Sequence, residues 1–522
     1  MTDKTIKANL LWTDDEIDLL RPYIIFLEEK GYSVKTANNG DDAILLVKSD
    51  NFDLILLDEN MPGLSGLQVL DEIKKIDPIV PVIMVTKSEE ENIMEQAIGS
   101  KIADYLIKPV NPNQVLLAIK KNIDNKRLIS ENITHKYQVQ FNKLTHEISF
   151  ASSFEDWKNI YKTLVYWELE LDKNNDHAID EILKMQKNEA NASFTKFIKN
   201  NYLKWFEQKN QNKPLLSPGI FKQKVYPLLD EGKQVFVILV DNLRLDHWKV
   251  IEEKIYALFN VTDDDIFCSI LPTSTQYSRN AMFAGLMPSE IDKHFPDIWL
   301  NDDEEGGKNM HEEELLKKQH SRMGRTESIF YAKILNNFQG KQLIETFHNI
   351  KNHKLGVVIF NFVDILSHSR TESNMIRELA EDESAFRSLA ISWFEHSPLF
   401  ELLQLLSENN ISVVLTTDHG SVKIDKPVKV IGDRETTVNL RYKQGRNLNY
   451  QQREVFEITD PAKAYLPKSN LSSTYIFACS NDFFAYPNNF NYYVKYYKNT
   501  FQHGGVSLEE MLIPVVTLSP KK

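Results

Sequence analysis

The chain has 522 residues and a mass of 60.6 kDa, too long for one compact core, so we expect two or three domains. Hydrophobic residues make up 42% of the chain and charged residues 26%, which excludes a wholly disordered or fibrous protein. The 61 basic and 74 acidic residues give a net charge of −13, so we do not expect a general DNA-coating surface, although the composition leaves room for a local basic cleft.

The first residues, MTDKTIKANLLWTDDE, turn acidic early and contain no small-residue cleavage site, so they do not predict a secretory signal. No apolar run approaches ~20 residues, so we expect no membrane span. The two cysteines, Cys268 and Cys479, exclude a disulfide scaffold and a CxxC-type zinc site, and both lie on apolar runs typical of a core. Together these features predict a cytoplasmic protein.

Residues 1–124 alternate strand and helix signals. The short apolar runs lie at Ile6–Trp12, Val34–Ala37, Leu54–Leu57, Val82–Val85 and Tyr105–Ile107. This βαβ rhythm predicts a doubly wound parallel sheet covered by helices on both faces. In such sheets the functional residues lie at the carboxyl ends of the strands.

Polar side chains follow four of these runs, and they are Asp14, Asp15, Asp58, Thr86 and Lys108. Three carboxylates at one sheet edge repel one another and therefore predict a hard cation with oxygen ligands, most simply Mg²⁺. A carboxylate beside Mg²⁺ can attack a phosphoryl group and carry it as an acyl phosphate, while Thr86 and Lys108 bind phosphate oxygens. The bland alternative, a loop or helix cap at Asp14 and Asp15, does not explain why all five fall in order at strand ends.

These residues resemble the response-regulator receiver domain over essentially all of 1–122. The resemblance implies that Asp58 accepts phosphate from a sensor histidine kinase and that Tyr105 changes rotamer together with Thr86. It also implies dimerisation through the face around the fourth helix, fifth strand and fifth helix. The Mg²⁺ ligands would be Asp14, Asp15, Asp58 and Asn60.

Residues 125–212 mix Lys, Asn and Glu with aromatic residues at helical spacing, and the stretch contains no proline, the next one being Pro214. This predicts a helical linker, either a bundle or an extended spacer. Within 213–522 strand-like runs return, each ending in polar residues, which predicts a second and larger α/β domain. The runs lie at Val235–Val240, Gly356–Phe360 and Ile411–Leu415.

The second domain carries six candidate metal ligands. Three are aspartates and three are histidines, namely Asp241, Asp364, His368, Asp418, His419 and His503. Carboxylate with imidazole suits two Zn²⁺ ions, with Mn²⁺ as an alternative. Two such ions at ~3.5–4 Å can activate a nucleophile and stabilise the leaving group. Thr273 and Thr275, where a helix is predicted to begin, supply a candidate hydroxyl nucleophile.

The order of these residues resembles the alkaline phosphatase superfamily over roughly 215–522, and HGGVSLEEM looks like its PglZ branch. The resemblance implies one metal site made of Asp241, Thr275, Asp418 and His419. It implies a second metal site made of Asp364, His368 and His503.

The motif P-T-x-T, followed by G-L-x-P, resembles the nucleotide pyrophosphatase/phosphodiesterase branch, in which the second threonine acts. This favours Thr275 as the nucleophile over Thr273. The asparagine that holds phosphate in those diesterases would fall near Pro296 here, where Asn301 or Asn280 is a weak substitute.

Three further features lie outside the ligand set. The charged segment Asn301–Arg325 is predicted to be a surface insertion, or else a lid. Arg244, just after Asp241, and the stretch Arg434–Arg446 are candidates to supply positive charge beside the metals. Within that stretch Arg441, Tyr442, Lys443 and Arg446 either hold a nucleotide by phosphate contact and base stacking, or form a solvated hairpin, which is slightly favoured.

The whole chain resembles the PorX-type response regulators of Bacteroidetes, which regulate the type IX secretion system. The first hypothesis is a phosphorylation-controlled phosphodiesterase acting on nucleotides or oligonucleotides, dimeric when phosphorylated. The alternative is a non-catalytic scaffold whose metal domain binds a transcription or sigma factor. The complete set of six ligands and a threonine favours the enzyme, because a scaffold needs none of them.

Overall fold

The computed structural model describes residues 7–78, 80–87, 102–173, 177–207, 213–302, 304–380, 382–433, 436–468 and 472–521. The chain divides into two units, Met1–Gln138 and Val139–Lys522. In the described part of the chain, no helix is both long enough and apolar enough to cross a membrane.

The first unit is built on a five-stranded parallel sheet of order β2-β1-β3-β4-β5. The strands are β1 Ala8–Thr13, β2 Tyr32–Ala37, β3 Leu54–Asp58, β4 Val82–Thr86 and β5 Asp104–Ile107. The described helices are α1 Arg21–Glu29, α2 Gly40–Ser49, α3 Gly66–Ile76 and α4 Pro112–Phe150. The doubly wound parallel sheet predicted for this region is confirmed.

Helices cover both faces of this sheet because its central strand is apolar on both sides. Leu54 and Leu56 pack into one hydrophobic cluster, and Ile55 and Leu57 pack into the cluster on the opposite face. Such uninterrupted apolar strands are typical of parallel sheets. The segment 88–101, where the fourth helix of the predicted dimer face would lie, is outside the described residues.

Helix α4 is 39 residues long, so the domain boundary predicted at residue 124 falls inside it. Two more helices follow, α5 Phe154–Asp172 and α6 His177–Asn201. Ser153 begins α5 as the N-terminal cap of a reciprocal capping box with Asp156.

Helices α5 and α6 pack on the α/β part of the second unit. The ring of Trp157 meets that of Phe194 with centroids 5.4 Å apart, which joins the two helices. The ammonium of Lys158 lies 2.6 Å from the Asp265 carboxylate in the α/β part. The linker is therefore a packed bundle rather than an extended spacer in this region.

The second unit contains a six-stranded sheet of order β7-β18-β10-β6-β9-β8. Its strands are β6 Val235–Val240, β7 Phe259–Cys268, β8 Ile329–Ile334, β9 Leu355–Phe360, β10 Ser412–Thr416 and β18 Leu512–Pro520. Strands β8, β9, β6 and β10 are parallel, and β18 and β7 are antiparallel to their neighbours. The predicted second α/β domain is confirmed.

Short strands form three smaller sheets, β11 with β17, β12 with β16, and β13-β15-β14. These strands are β11 Val422–Lys423, β12 Lys426–Lys429, β13 Tyr442–Gly445, β14 Val455–Ile458, β15 Thr474–Ala478, β16 Asp482–Ala485 and β17 Phe501–Gln502.

Helices flank these sheets along the chain. They are α7 Tyr226–Asp230, α8 Leu245–Ile255, α9 Asn280–Ala284, α10 Pro288–His294, α11 Glu312–Arg322, α12 Asn337–Glu345, α13 Phe347–Ile350, α14 Phe362–Glu372, α15 Asn374–Leu379, α16 Glu383–Glu395, α17 Pro398–Glu408, α18 Phe490–Tyr497 and α19 Leu508–Met511. A wide helical turn, Thr275–Arg279, leads directly into α9.

The surface prediction for 301–325 holds for only part of the segment. Glu312 and His320 are buried because α11 packs on the domain, whereas Glu313, Lys317 and residues 321–324 are exposed. The prediction of a solvated hairpin is wrong. Within 436–446 the solvated hairpin is replaced by the buried strand β13, in which Tyr442 and Lys443 are at most 5% exposed.

Candidate phosphorylation and two-metal sites

The receiver pocket lies at the carboxyl edge of the first sheet. Lys108, which follows β5, places its ammonium 2.8 Å from Asp14 and 3.1 Å from Asp58. Asp14, Asp15 and Asp58 bring three carboxylate oxygens within 4.8 Å of one another, a donor set that suits a hard divalent cation. Strand ends therefore bring these four predicted side chains together.

The remaining receiver residues surround this pocket. Thr86 ends β4 and is buried, and the Tyr105 hydroxyl hydrogen-bonds with it. Asn60 is exposed, two residues after the end of β3. Burial raises the pKa of Asp58, and the Lys108 ammonium acts against that rise. Asp58 is therefore a partly desolvated carboxylate held by one cation.

The second site is assembled by three neighbouring parallel strands. Asp241 follows β6, Asp364 lies in the first turn of α14 after β9, and Asp418 with His419 follows β10. Because β9, β6 and β10 are adjacent, their carboxyl ends deliver these side chains to one edge of the sheet. His503 arrives separately, directly after β17.

The first ligand group consists of Asp241, Asp418 and His419, all buried. The Nε2 atom of His419 lies 3.8 Å from Asp241 Oδ1 and 3.7 Å from Asp418 Oδ2. Among the described residues, Asp241 Oδ1 has no hydrogen-bond partner. His419 Nδ1 lies 3.2 Å from the Gly420 carbonyl, so Nε2 is the ring nitrogen that faces the two carboxylates. A buried, unpartnered carboxylate oxygen beside an imidazole nitrogen fits a bound divalent cation.

The second ligand group consists of Asp364, His368 and His503. The two Asp364 oxygens lie 3.5 Å from His368 Nε2 and 3.7 Å from His503 Nε2. His503 Nδ1 lies 3.2 Å from the Thr273 carbonyl, so this imidazole also keeps Nε2 for a ligand. His368 is the most exposed of the three, at 55% of its side chain.

Contacts between residues of both groups hold them side by side. The His419 and His503 rings stack with centroids 4.1 Å apart. Asn242, which follows Asp241, points its amide toward Asp364 Oδ1 at 3.5 Å. The groups thus form one centre with two candidate cation positions.

The two threonines have different surroundings. Thr275 is the first residue of the turn leading into α9, and its hydroxyl lies 3.1 Å from His419 Nε2. The Thr273 hydroxyl donates to the Gly505 carbonyl at 3.0 Å and accepts from the Gly504 amide at 3.1 Å. Thr275 therefore faces the first ligand group, whereas Thr273 is engaged by the glycine loop after His503.

A buried arginine at this centre was missed from the sequence. Arg279 pairs with Asp241 and places its Nε 3.0 Å from Asp418 Oδ2. Its Nη1 lies 3.4 Å from Glu312, which the sequence placed on the surface. The one available signal was position, since Arg279 follows Thr275 by four residues and so shares its helical face.

Burial sets the protonation of the centre. Burial raises the pKa of Asp241 well above its ordinary value, against the effect of Arg279. Asp418 is also buried, but Arg279 holds its pKa at about 2. Burial lowers the pKa of His503 to about 4, and His419 acts in the same direction. The imidazole of His503 is therefore neutral near pH ~7, as a metal ligand must be.

The other predicted polar residues have partners elsewhere. Arg244 pairs with Asp246, and Arg441 pairs with Glu510. The Asn280 amide donates to the Lys308 carbonyl, and the Asn301 side chain accepts from the Trp299 indole. Arg434 lies outside the described residues.

Comparison with protein families places three domains along the chain. Residues 10–120 match the response regulator receiver domain, 127–206 the PorX response regulator linker domain, and 220–518 the BREX system PglZ alkaline phosphatase-like domain.

Curated relatives match part of the chain. Transcriptional regulatory protein ResD of Bacillus subtilis is 37% identical over 118 residues, which cover 23% of this chain and 49% of ResD. The CpxR homolog of Haemophilus influenzae is 32% identical over 158 residues, which cover 30% of this chain and 68% of that protein. The chain thus spans about half the length of ResD.

Solved structures are also similar to part of the chain. A CheY-like receiver domain from Methanospirillum hungatei is 28% identical, with 23% of this chain and 96% of that chain covered and a TM-score of 0.23. TrrA of Thermotoga maritima, in complex with Mg²⁺-BeF, is 32% identical, with 22% and 97% covered and a TM-score of 0.21. Because the PglZ match alone spans more than half of the sequence, the chain belongs to the PglZ alkaline phosphatase-like family, in the receiver–linker–PglZ architecture of PorX-type response regulators.

Proposed function

We propose that this response regulator hydrolyses phosphodiesters of nucleotides or oligonucleotides at its C-terminal centre, under the control of phosphorylation at Asp58. The observation that carries the proposal is the pairing of two ligand groups, Asp241/Asp418/His419 and Asp364/His368/His503, beside the Thr275 hydroxyl. The receiver domain implies phosphorylation by a sensor kinase.

Two divalent cations, Zn²⁺ or alternatively Mn²⁺, would be held by these groups and would supply Lewis-acid stabilisation of the phosphoryl oxygens. The residues of the chain contribute by holding the ligand atoms in position. The stacked imidazoles of His419 and His503 keep the two groups adjacent, and backbone carbonyls fix which nitrogen of each ring faces inward. Mg²⁺ is proposed for the receiver pocket of Asp14, Asp15, Asp58 and Asn60.

Thr275 is proposed as the nucleophile. Its hydroxyl oxygen attacks phosphorus as the bond from phosphorus to the leaving alcohol breaks, the hydroxyl proton passes to that alcohol, and a threonine-linked phosphodiester that keeps the second ester group results. Water then attacks phosphorus and gives a proton to the departing Thr275 oxygen, which releases the phosphate monoester. The position of Thr275 at the start of a helical turn favours an anion there, and Thr273 lacks this freedom because its hydroxyl bonds two backbone groups.

The catalytic proposal is tested with zinc-loaded protein and bis-(p-nitrophenyl) phosphate. Wild-type protein is expected to release p-nitrophenol, Thr275→Val to lose at least ~10²-fold in kcat, and Thr275→Ser to retain part of the rate. Full activity in Thr275→Val would remove Thr275 from the mechanism. A folded, zinc-loaded wild type that is inactive on this ester, on cyclic dinucleotides and on short RNAs would favour the scaffold alternative.

Regulation is proposed to act through the association of receivers. The Asp58 carboxylate, which Lys108 contacts together with that of Asp14, carries one negative charge. Phosphorylation replaces it with a dianion, which reorganises Thr86 and Tyr105. Size-exclusion chromatography with acetyl phosphate is expected to show a dimer. An elution volume unchanged in a protein shown to be phosphorylated would contradict this step.

We further propose that the protein is a cytoplasmic regulator of type IX secretion with a transcription or sigma factor as its partner, and this rests on the PorX-type architecture. Deletion of the gene followed by complementation with Thr275→Val tests whether secretion depends on the hydrolase. Full restoration of secretion by that variant would separate the regulatory role from catalysis.

A further inference from the structure

Three buried carboxylates converge on one guanidinium at the first ligand group. Arg279 is fully buried, and Asp241, Asp418 and Glu312 are each at most 1% exposed. Such a cluster of buried anions is strongly unfavourable unless a cation lies among them. The Arg279 guanidinium is that cation, and its three nitrogens contact the three carboxylates separately.

The important detail is which oxygen atom of each aspartate contacts Arg279. Arg279 holds Asp241 by Oδ2, while Asp241 Oδ1 faces His419 Nε2 at 3.8 Å. One oxygen of this carboxylate is thus fixed and the other is left for a ligand. For Asp418, Oδ2 lies 3.0 Å from Arg279 Nε and 3.7 Å from His419 Nε2. Rotation of either carboxylate would break its bond to the guanidinium.

Arg279 is itself held in position by Glu312. Glu312 bonds it through Oε1, and Glu312 Oε2 accepts from the Tyr331 hydroxyl at 2.7 Å and the Lys333 ammonium at 3.0 Å. Tyr331 and Lys333 lie on β8, the edge strand of the sheet. A guanidinium held in this way presents N–H donors in a fixed geometry to both aspartates. The ammonium of a flexible lysine side chain cannot reproduce that geometry.

We propose that Arg279 is a positioning residue of the first metal site: it sets the orientation of the Asp241 and Asp418 carboxylates, and Glu312 sets the orientation of Arg279. This inference rests on the proposed metal function of that site. Partners that orient metal ligands typically contribute 10–100-fold to metal affinity. Arg279 also links the ligands to Thr275, because both lie on the turn Thr275–Arg279.

The test measures Zn²⁺ affinity of the first site alone. In a His368→Ala background the second site is disabled at its most exposed ligand, so a chromophoric chelator competes for one zinc ion. Millimolar Mg²⁺ fills the receiver pocket. We expect Arg279→Lys to lower the affinity about 10–100-fold and Glu312→Gln to lower it less, about 3–10-fold. Arg387→Lys is the matched control, since Arg387 is also buried against three carboxylates but contacts none of the six ligands.

A second readout uses cobalt. The visible absorption of the Co²⁺-loaded first site is expected to change in both variants but not in the control, while circular dichroism verifies the fold. If folded Arg279→Lys or Glu312→Gln keeps wild-type affinity and the wild-type spectrum, the positioning role is overturned. If Arg279→Lys does not fold, Glu312→Gln decides alone. Failure of the wild-type protein itself to bind zinc would instead contradict the proposed function.

Discussion

The imidazole rings of His419 and His503 lie parallel to within 16°, with centroids 4.1 Å apart. His419 belongs to one ligand group and His503 to the other, so this ring stack is a direct contact between the two ligand groups. The chain supplies the two rings from elements far apart in sequence, after β10 and after β17.

Removing His503 should empty one metal position and spare the other. In His503→Ala we expect the zinc content of the C-terminal unit to fall by about one ion per chain, because Asp364 and His368 alone make an incomplete site. Diesterase activity should fall by at least ~10²-fold. Elemental analysis after dialysis against Mg²⁺ buffer provides the measurement, with His396→Ala, an exposed histidine, as control. Unchanged zinc content in His503→Ala would be incompatible with the second ligand group.

Gly420 lets the loop of His419 approach the backbone of Glu509. A β-carbon at Gly420 would lie 2.1 Å from the Glu509 carbonyl oxygen, closer than any real contact, so Gly420→Ala must displace this loop. We expect zinc affinity to drop about tenfold or more, measured by chelator competition. Gly307→Ala is the control, because its added methyl would meet the flexible side chain of Met310. Wild-type affinity in Gly420→Ala would mean that His419 does not bind the metal.

Phosphorylation should depend on Asp58. Labelled acetyl phosphate is expected to modify wild-type protein and Asp71→Ala, a change on the exposed face of α3, but not Asp58→Ala. Lys108→Met should retain labelling and lose the response that follows, because Lys108 contacts the Asp58 carboxylate and is placed to read its charge. Autoradiography after electrophoresis detects the label. Persistent label on Asp58→Ala would move the acceptor elsewhere.

Lys443 predicts a specific dependence of stability on pH. Burial lowers its pKa to about 7, and its ammonium contacts the Thr437 carbonyl and lies over the Tyr486 ring, neither of which carries a full charge. Between about pH 7 and pH 10 the unfolded chain therefore binds one more proton at Lys443 than the folded chain. The free energy of unfolding must rise with pH in that window.

Matched variants isolate the contribution of Lys443 to the pH dependence of the free energy of unfolding. From about pH 7.5 to pH 9, the stability of wild type relative to Lys443→Met should increase by about 2 kcal/mol, as measured by urea denaturation. Lys429→Met, at an exposed lysine, should show no such trend. A difference between wild type and Lys443→Met that stays flat across this range would show that Lys443 remains charged in the fold.

The residues found from the sequence are those whose role is tied to strand ends. Asp58, Asp241 and Asp418 each lie at or just after the end of a buried apolar run, and parallel strands deliver such residues to one edge. The order of the motifs, compared with a known superfamily, then divided the C-terminal ligands into the two groups that the structure brings together.

The residues missed are those whose role depends on packing between distant elements. Arg279 and Glu312 lie in segments rich in polar residues, and apart from the four-residue spacing between Thr275 and Arg279 nothing in the sequence marks them as buried partners. Conversely, Arg441 and Lys443 look like a solvated basic hairpin, but Arg441 pairs with Glu510 from another element. Whether a charged side chain is buried can be predicted only when its oppositely charged partner is known.

The most direct test of the account is an anomalous difference map of the zinc-loaded protein, recorded at the zinc absorption edge. The account predicts two peaks about 3.5–4 Å apart, one bounded by Asp241, Asp418 and His419 and the other by Asp364, His368 and His503. A single peak, or peaks bound by residues outside these two groups, would contradict it.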